Sequence, residues 1–258
     1  MNKLHVISSG SKANAFIAES EGAMLVIDQG LSYREFCIRC ENLGIDTLKI
    51  QAILLTHEHS DHARGVAYTA HKLKIPVFSM EKTLEKMMEK SKYHLDLKSL
   101  DVDSEFSVGK FSFTPFDIMH DAVNPIGFMI TMKNEKLCFA TDTGKVTNRM
   151  MSYINECDHI ILEANHDHSM LYGNMKYPAQ LKERIRGPQG HLSNDQCFET
   201  LGRIAGKCPK TIVFSHLSEE NNSPELLSGM VDDYRRKNTL SFNSFIADQS
   251  KPFSVLLT

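Results

Sequence analysis

Residues 56–62, Thr-His-Glu-His-Ser-Asp-His, place three imidazoles and two carboxylates in one short segment. Neutral imidazole and carboxylate are ligands that divalent metals such as zinc prefer. His57 and His59 lie two residues apart, so in an extended segment both side chains point to the same side. Asp61 and His62 follow as the chain enters a helix predicted over residues 63 to about 73. One tetrahedral ion needs fewer donors, so the segment predicts a site for two metal ions rather than a His-rich surface loop.

Other donor residues stand where predicted strands or helices begin or end. Those at strand ends are His120, Asp142, Glu163 and His216, and His191 lies at the mouth of a helix. A single residue of this kind is usually a cap or a solvated side chain. Several of them in one chain, together with a ligand cluster, favour a common site.

These donors divide into two sets around one shared carboxylate. We expect one ion to be bound by His57, His59 and His120, the other by Asp61, His62 and His216, and both by Asp142 as a bridge. Each ion then keeps an open position for water, as catalytic sites require. Two ions about 3.5–4 Å apart can share a hydroxide and stabilise the attacking and the leaving oxygen of a displacement.

The elements that must position these residues follow from the apolar pattern. Short apolar runs at 23–27, 51–55, 159–163 and 211–215 predict buried strands. Residues 105–108, 110–116, 127–132 and 136–141 predict a strand-rich middle. Ser193 with Gln196 predicts a capping box, and Ser223 before Pro224 predicts the start of the last helix. Two successive strand-then-helix halves without a linker predict an α/β sandwich with no visible domain boundary.

The composition of the 258 residues is that of an ordinary globular protein, with 41% apolar and 24% charged residues. No membrane span or signal peptide is recognisable, which makes the cytoplasm the expected location. The net charge of −3 provides no overall basic field for nucleic acid. The basic clusters at 182–186 and 235–237 are interpreted as solvated helix faces. The six cysteines are expected to be reduced, and Cys37 and Cys40 to lie on a helix without a metal.

The remaining histidines lack such a pattern. His5, His71, His94 and His159 are interpreted as structural. The pair at 166 and 168 could line a pocket, but we favour a solvated loop.

The ligand series from residue 57 to residue 216 resembles that of the metallo-β-lactamase-fold hydrolases. The resemblance runs from Ser8 to Asn222 and implies a four-layer αββα sandwich with a dinuclear site between two sheets. Narrower motifs are GHLSN at 190–194, LEANHD at 162–167, HDAVNPIGF at 120–128 and SHLSEENN at 215–222. They resemble the WalJ (YycJ) family, which implies a nuclease or phosphodiesterase, with 5′-to-3′ exodeoxyribonuclease activity as the leading assignment.

This resemblance also implies roles, a cofactor and a substrate. Glu163 and His191 are similar to the orienting group and proton donor of tRNase Z enzymes, so His191 would protonate the leaving oxygen. Asp61 would be both a metal ligand and the group that orients or deprotonates the attacking water. The implied cofactor is two divalent ions, zinc first, with manganese or iron also compatible. The implied partner is nucleic acid, preferentially DNA, and no membrane.

Departures from related families narrow the resemblance. The short separation of His120 and Asp142 leaves no room for the RNA-binding arm of long tRNase Z enzymes, and no β-CASP insertion is visible, so we expect one domain over residues 1–258. Asp142 stands where the β-lactamases of this fold resemble one another in carrying Cys, which argues against lactam hydrolysis. His59 stands where flavo-diiron proteins carry Glu, which argues against a redox di-iron role. The loop at 9–14, Ser-Gly-Ser-Lys-Ala-Asn, lacks the second glycine that the family usually has, and Lys12 could contact a phosphate there.

Two alternatives remain open at this stage. One is a thioester or lactone hydrolase of the glyoxalase II type, which has less need of a separate acid for the leaving group. The other is a metal-binding regulatory protein without turnover, although seven intact ligands exceed what a scaffold requires. A panel of phosphodiester, thioester and lactone substrates separates these two alternatives from the nuclease.

Overall fold

The computed structural model describes residues 1–89, 91–205, 208–238 and 241–258. These residues form two seven-stranded sheets. The first sheet contains β1 (Asn2–Ser8), β2 (Ala15–Ser20), β3 (Ala23–Gln29), β4 (Ile50–Leu54), β5 (Val77–Met80), β6 (Leu97–Leu100) and β14 (Phe253–Leu257). The second contains β7 (Phe106–Val108), β8 (Phe111–Asp117), β9 (Ile126–Met132), β10 (Glu135–Ala140), β11 (His159–Glu163), β12 (Thr211–Ser215) and β13 (Asn243–Ile246).

Helices connect and cover these strands. They are α1 (Tyr33–Asn42), α2 (Ser60–Ala63), α3 (Val66–Leu73), α4 (Glu81–Met88), α5 (Asn148–Glu156), α6 (His168–Gly173), α7 (Ala179–Arg186), α8 (Asn194–Gly202) and α9 (Pro224–Asn238), with a 3-10 turn at Thr47–Lys49. Among the described helices, none combines the length and the apolar character that crossing a membrane requires.

Each sheet is part parallel and part antiparallel. The first has the order β14-β1-β2-β3-β4-β5-β6, and it is parallel from β3 to β6. The second has the order β13-β12-β11-β10-β9-β8-β7, and it is parallel from β10 to β13. The parallel halves bring the carboxyl ends of several strands to one edge of each sheet, where ligand sites of α/β proteins commonly form.

Alternation along the strands produces the layers. In β3, Leu25 and Ile27 belong to the core between the sheets, whereas Met24 and Val26 belong to the outer core under α1, α3 and α4. A third apolar cluster joins the second sheet to α5, α8 and α9. Phe16 and Phe139 meet edge to face across the middle, with ring centroids 5.0 Å apart. The predicted αββα sandwich is confirmed.

The structure corrects several local expectations. The single helix predicted from residue 63 to about 73 is divided into α2 and α3. Gly65 lies at the break, where its N–H donates to the Gln29 carbonyl and a Cβ would lie 2.1 Å from the Leu31 carbonyl oxygen. The edge strands β6, β13 and β14 were not predicted. The capping box of Ser193 and Gln196 is present, and the Ser223 hydroxyl caps α9.

The structure also places the cysteines and the basic clusters. Arg235 of the 235–237 cluster is half-buried and lies over the Phe242 ring, so the expectation of a solvated face is wrong for that residue. Cys37 and Cys40 lie on α1 as free thiols. The 182–186 cluster lies on α7, a helix with no buried residue.

Candidate metal centre

The first set of donors, which we call the imidazole group, consists of His57, His59 and His120. His57 follows β4 and is fully buried, His59 caps α2, and His120 follows β8. Their ligand nitrogens all lie within 4.8 Å of one another. His59 Nδ1 and His120 Nε2 are 3.2 Å apart. The structure therefore brings together the three imidazoles that the sequence assigned to one ion.

The second set, which we call the mixed group, consists of Asp61, His62, Asp142 and His216. Its donor atoms also lie within 4.8 Å of one another. His62 Nε2 is 3.3 Å from Asp61 Oδ2 and 3.2 Å from Asp142 Oδ2. His216 Nε2 lies 3.7 Å from Asp61 Oδ2. Two of these separations match the edge of about 3.3 Å expected between ligands of a tetrahedral ion with bonds near 2.0 Å.

Asp142 lies between the two groups. Its Oδ2 is 3.2 Å from His62 Nε2, and its Oδ1 is 3.9 Å from His120 Nε2. This position fits the predicted bridge.

Backbone conformation turns several of these side chains into the site. Three residues near the carboxyl ends of strands have a positive φ: Asp28 (56°), Asp142 (57°) and His216 (56°). Asp and His adopt this left-handed region more readily than most residues, but it is still a strained state. Three such residues near the carboxyl ends of strands from both sheets indicate that side-chain position is maintained there at the expense of backbone stability.

The donor set fits divalent ions. Buried nitrogen and oxygen atoms are normally hydrogen-bonded. Among the described residues, three ligand atoms of this site are buried without a partner: His57 Nε2, Asp142 Oδ2 and His216 Nε2. The two imidazoles are already oriented through their other ring nitrogen, because His57 Nδ1 contacts the Thr56 hydroxyl and His216 Nδ1 contacts Glu163. Metal coordination would satisfy all three.

Charge leads to the same conclusion. Burial would lower the pKa of His216, but the Asp142 carboxylate, the nearby Asp61 carboxylate and the hydrogen bond with Glu163 raise it to about 10. Burial and the neighbouring His62 hold the pKa of His57 well below its usual value of 6.5. The carboxylates beside the mixed group thus create a negative field that attracts cations, whether protons or metal ions, and the imidazole group offers a neutral ring in His57.

Beside the donors lies a carboxylate–imidazole pair. Glu163 ends β11 and is fully buried, and its Oε1 accepts hydrogen bonds from Nδ1 of His191 at 2.7 Å and of His216 at 2.8 Å. Its Oε2 accepts from the backbone N–H of Thr143 and Leu192. Burial alone would raise the pKa of Glu163, but the charges and hydrogen bonds of His191 and His216 lower it to about 2. The carboxylate therefore stays ionised.

A third group of donor atoms also lies within 4.8 Å of one another, and it consists of Asp142, Glu163, His191 and His216. In that arrangement His191 and His216 would have to use their Nδ1 atoms. Both Nδ1 atoms already donate to Glu163. We therefore interpret Glu163 as the residue that orients two imidazoles, a common arrangement around metal-binding histidines.

Three supporting residues were missed from the sequence. Asp28 Oδ2 accepts from His62 Nδ1 at 2.7 Å, and the Thr56 hydroxyl joins Asp28 to His57 Nδ1. Asn14 Nδ2 lies 3.4 Å from Asp61 Oδ2 and 3.0 Å from His62 Nε2. Asp28 follows the same kind of buried strand as Asp142, so its position at a strand end was the available signal.

Other sequence expectations have mixed outcomes. His168 is exposed at the start of α6, as expected of a solvated loop, but His166 is fully buried, so that expectation is wrong for it. The backbone of His166 forms a β-bridge with Ser193. Lys12 is exposed and pairs with Glu219. Ala13 is buried without positive φ, so this loop does not need the missing glycine.

A cavity of about 180 Å³ opens over the donors. It is lined by ligands of both groups and by His191, whose side chain is 21% exposed. Arg184 also lines it and pairs with Asp121 at 2.6 Å. Substrate could reach the donors, the imidazole of His191 and one guanidinium group through this opening.

Known proteins share this architecture. The model of the beta-lactamase superfamily domain matches residues 25–217. The crystal structure of YhfI from Bacillus subtilis, a metallo-β-lactamase fold protein, superposes with a TM-score of 0.69 at 17% identity, covering 98% of this chain and 99% of that one. This likeness shows the fold.

Two relatives are similar in sequence over most of their length. Exodeoxyribonuclease WalJ of Streptococcus pneumoniae (strain D39) is 34% identical over 229 residues, 87% of this chain and 84% of that protein. Exodeoxyribonuclease YycJ of Bacillus anthracis is 31% identical, over 86% of this chain and 84% of that protein. The chain therefore belongs to the metallo-β-lactamase superfamily and, within it, to the WalJ/YycJ family.

Proposed function

We propose that this protein is a dinuclear, metal-dependent exodeoxyribonuclease that hydrolyses DNA from the 5′ end in the cytoplasm. Its relatives WalJ and YycJ are named exodeoxyribonucleases. The observation that carries the proposal is the pair of Glu163 and His191, joined at 2.7 Å beside two sets of metal donors. A phosphodiester has a poor leaving group, and a proton donor held beside the metal donors supports a reaction in which that group is protonated as it departs.

We assign one divalent ion to the imidazole group, one to the mixed group, and Asp142 to both. Zinc suits imidazole and carboxylate donors at these separations, and manganese or iron would also fit the ligand types. When bound, such ions would polarise a phosphoryl oxygen and lower the pKa of a water molecule.

The chain's own residues have distinct tasks in this reaction. Glu163 fixes the ring of His191 through Nδ1, which leaves Nε2 as the atom that donates a proton to the leaving oxygen. The same carboxylate holds Nδ1 of His216, so that its Nε2 can act as a ligand. Asp61, partly exposed in the cavity, orients the attacking water.

The test is His191→Ala, assayed on end-labelled DNA and on bis(p-nitrophenyl) phosphate. A missing general acid costs about 10²- to 10⁴-fold. We expect that loss for DNA, whose alkoxide leaving group needs a proton, and a much smaller loss for the nitrophenyl ester, whose phenolate leaves unaided. Metal content, measured by elemental analysis, should equal that of the wild type.

His168→Ala is the matched control, because His168 is exposed and does not line the cavity. It should leave both rates unchanged. Equal losses on both substrates in His191→Ala would contradict the role of proton donor. Turnover of a thioester or lactone by the wild type, with no phosphodiester cleaved, would refute the proposed function.

A further inference from the structure

A second, larger cavity adjoins the metal centre. Its volume is about 620 Å³, and His59 lines both this cavity and the smaller one over the donors. Its other lining residues include Arg64, Tyr68, Lys86 and Tyr93. We call these four residues, on α3, α4 and the segments beside them, the aromatic cleft. The shared residue His59 makes the cleft continuous with the site of hydrolysis.

The cleft contains aromatic rings in mutual contact. The centroids of Tyr68 and Tyr93 are 5.4 Å apart, and His71 stacks on Tyr93 at 4.7 Å. Tyr33 contacts Tyr68 edge to face at 5.5 Å. Tyr68 is 39% exposed although it is a large aromatic residue. Stacked, partly exposed tyrosines form a platform that can accept another planar ring.

Positive charge surrounds this platform. Lys72 Nζ lies 5.5 Å from the centroid of the Tyr68 ring, and Lys92 Nζ 5.9 Å from that of Tyr93. Arg64 donates through Nε to the Gly30 carbonyl, and within the described part of the chain its guanidinium forms no ion pair. Lys86 pairs with Glu89 at 2.9 Å.

The cleft also contains one carboxylate. Glu58 is its acidic lining residue, and its Oε1 accepts from the Val123 N–H. The balance of the side chains around the tyrosines is therefore basic, despite the net charge of −3 of the whole protein.

We propose that the aromatic cleft binds the bases of single-stranded DNA next to the scissile phosphate, with Tyr68 and Tyr93 as stacking residues. This inference rests on the proposed nuclease function. Its volume lies within the range of about 300–1,000 Å³ of small-molecule sites, which is sufficient for a nucleotide. Rows of aromatic side chains beside basic residues bind single strands without sequence preference, because every base has a π-face.

A base can bind in the aromatic cleft only when it is unpaired. Bases inside a duplex are stacked on their neighbours, and their faces are not available to protein rings. A base at the end of a duplex must therefore separate from its partner before it can stack on Tyr68 or Tyr93, while the metal donors and His191 provide the chemistry.

The experiment compares Tyr68→Leu, Tyr93→Leu and the double variant with the protein that retains both tyrosines, all in the His191→Ala background so that DNA cleavage is slow during the measurement. Affinity for a fluorescent single-stranded oligonucleotide is measured by anisotropy, with two metals loaded. We expect each leucine to weaken binding by about tenfold, the loss typical of one stacked base. Phenylalanine at either position should restore binding.

An oligonucleotide with abasic terminal nucleotides supplies the second arm. It should bind the tyrosine-containing protein about as weakly as the intact oligonucleotide binds the double variant, and the double variant should not distinguish the two. Tyr172→Leu is the matched control: Tyr172 is 67% exposed and lies under Arg186, but it does not line the cleft. Its affinity should be unchanged.

Hydrolysis separates this inference from the proposed function. With His191 intact, the leucine variants should cleave the oligonucleotide with abasic terminal nucleotides, which offers no base to stack, at the wild-type rate. Unchanged DNA affinity in the double variant, or equal losses for intact and abasic strands, would overturn the stacking role. A wild type that binds single strands in this base-dependent way but hydrolyses no phosphodiester would support the aromatic cleft and refute the nuclease proposal.

Discussion

The two ligand groups differ in the residues that hold their imidazoles. In the imidazole group, His57 Nδ1 contacts the Thr56 hydroxyl and His120 Nδ1 contacts the Gly190 carbonyl, at 2.9 and 3.2 Å. In the mixed group, the corresponding partners of His62 and His216 are carboxylates, at 2.7 and 2.8 Å. Neutral oxygens therefore support one half of the centre, and charged oxygens support the other.

This difference predicts unequal metal affinity. A carboxylate that accepts from a histidine fixes its tautomer and raises the basicity of the other ring nitrogen. The mixed group also contains two carboxylates, Asp61 and the shared Asp142, whereas the imidazole group has only the shared one. We therefore expect its ion to bind first and more tightly, and the imidazole group to fill second.

The largest effect should come from Asp142→Asn, because Asp142 lies close to donors of both groups. Loss of the shared negative charge should weaken both ions and remove several kcal/mol of transition-state stabilisation, or about 1,000-fold in DNA hydrolysis. Elemental analysis should find fewer than two ions per chain. The control is Asp117→Asn, because Asp117 is exposed at the end of β8 and lies outside the cavity and both ligand groups. Two ions and full activity in Asp142→Asn would eliminate the bridge.

A smaller effect is expected from Asp28→Asn, which keeps the shape of the side chain and removes the charge behind His62. Loss of such a supporting carboxylate costs about 10- to 100-fold in metal affinity. Titration against a chromophoric chelator gives two metal dissociation constants, a tighter and a weaker one. The tighter constant should increase most. An unchanged tighter constant would assign the first ion to the imidazole group.

Much of this centre was predictable because its ligands are local in sequence. Four of the expected ligands lie within six residues, and the chain needs only a preceding strand and the first turn of α2 to present them together: His57, His59, Asp61 and His62. The distant ligands were also recognisable, since each stands at the carboxyl end of a strand. Parallel strands then bring those ends to one edge.

The remaining parts depend on contacts that a linear pattern does not contain. The role of Asp28 arises from the parallel pairing of β3 and β4, which sets it beside Thr56. His166 is fully buried and pairs through its backbone with Ser193, far along the chain. The edge strands β6 and β13 are four residues each and contain exposed or half-buried positions, so their apolar pattern is weak.

The smallest expected effect tests the neutral side of the comparison. Thr56→Val removes the hydroxyl that links His57 Nδ1 to Asp28 but leaves the volume, the strand end and the backbone N–H bond to Asp28 in place. A single neutral hydrogen bond contributes about 0.5–1.5 kcal/mol, so the weaker metal constant should rise about 2- to 10-fold. The tighter constant should change less, because Asp28 still contacts His62 directly. If Thr56→Val instead weakened the tighter constant, the imidazole group would be the high-affinity half, and the order of filling would be reversed.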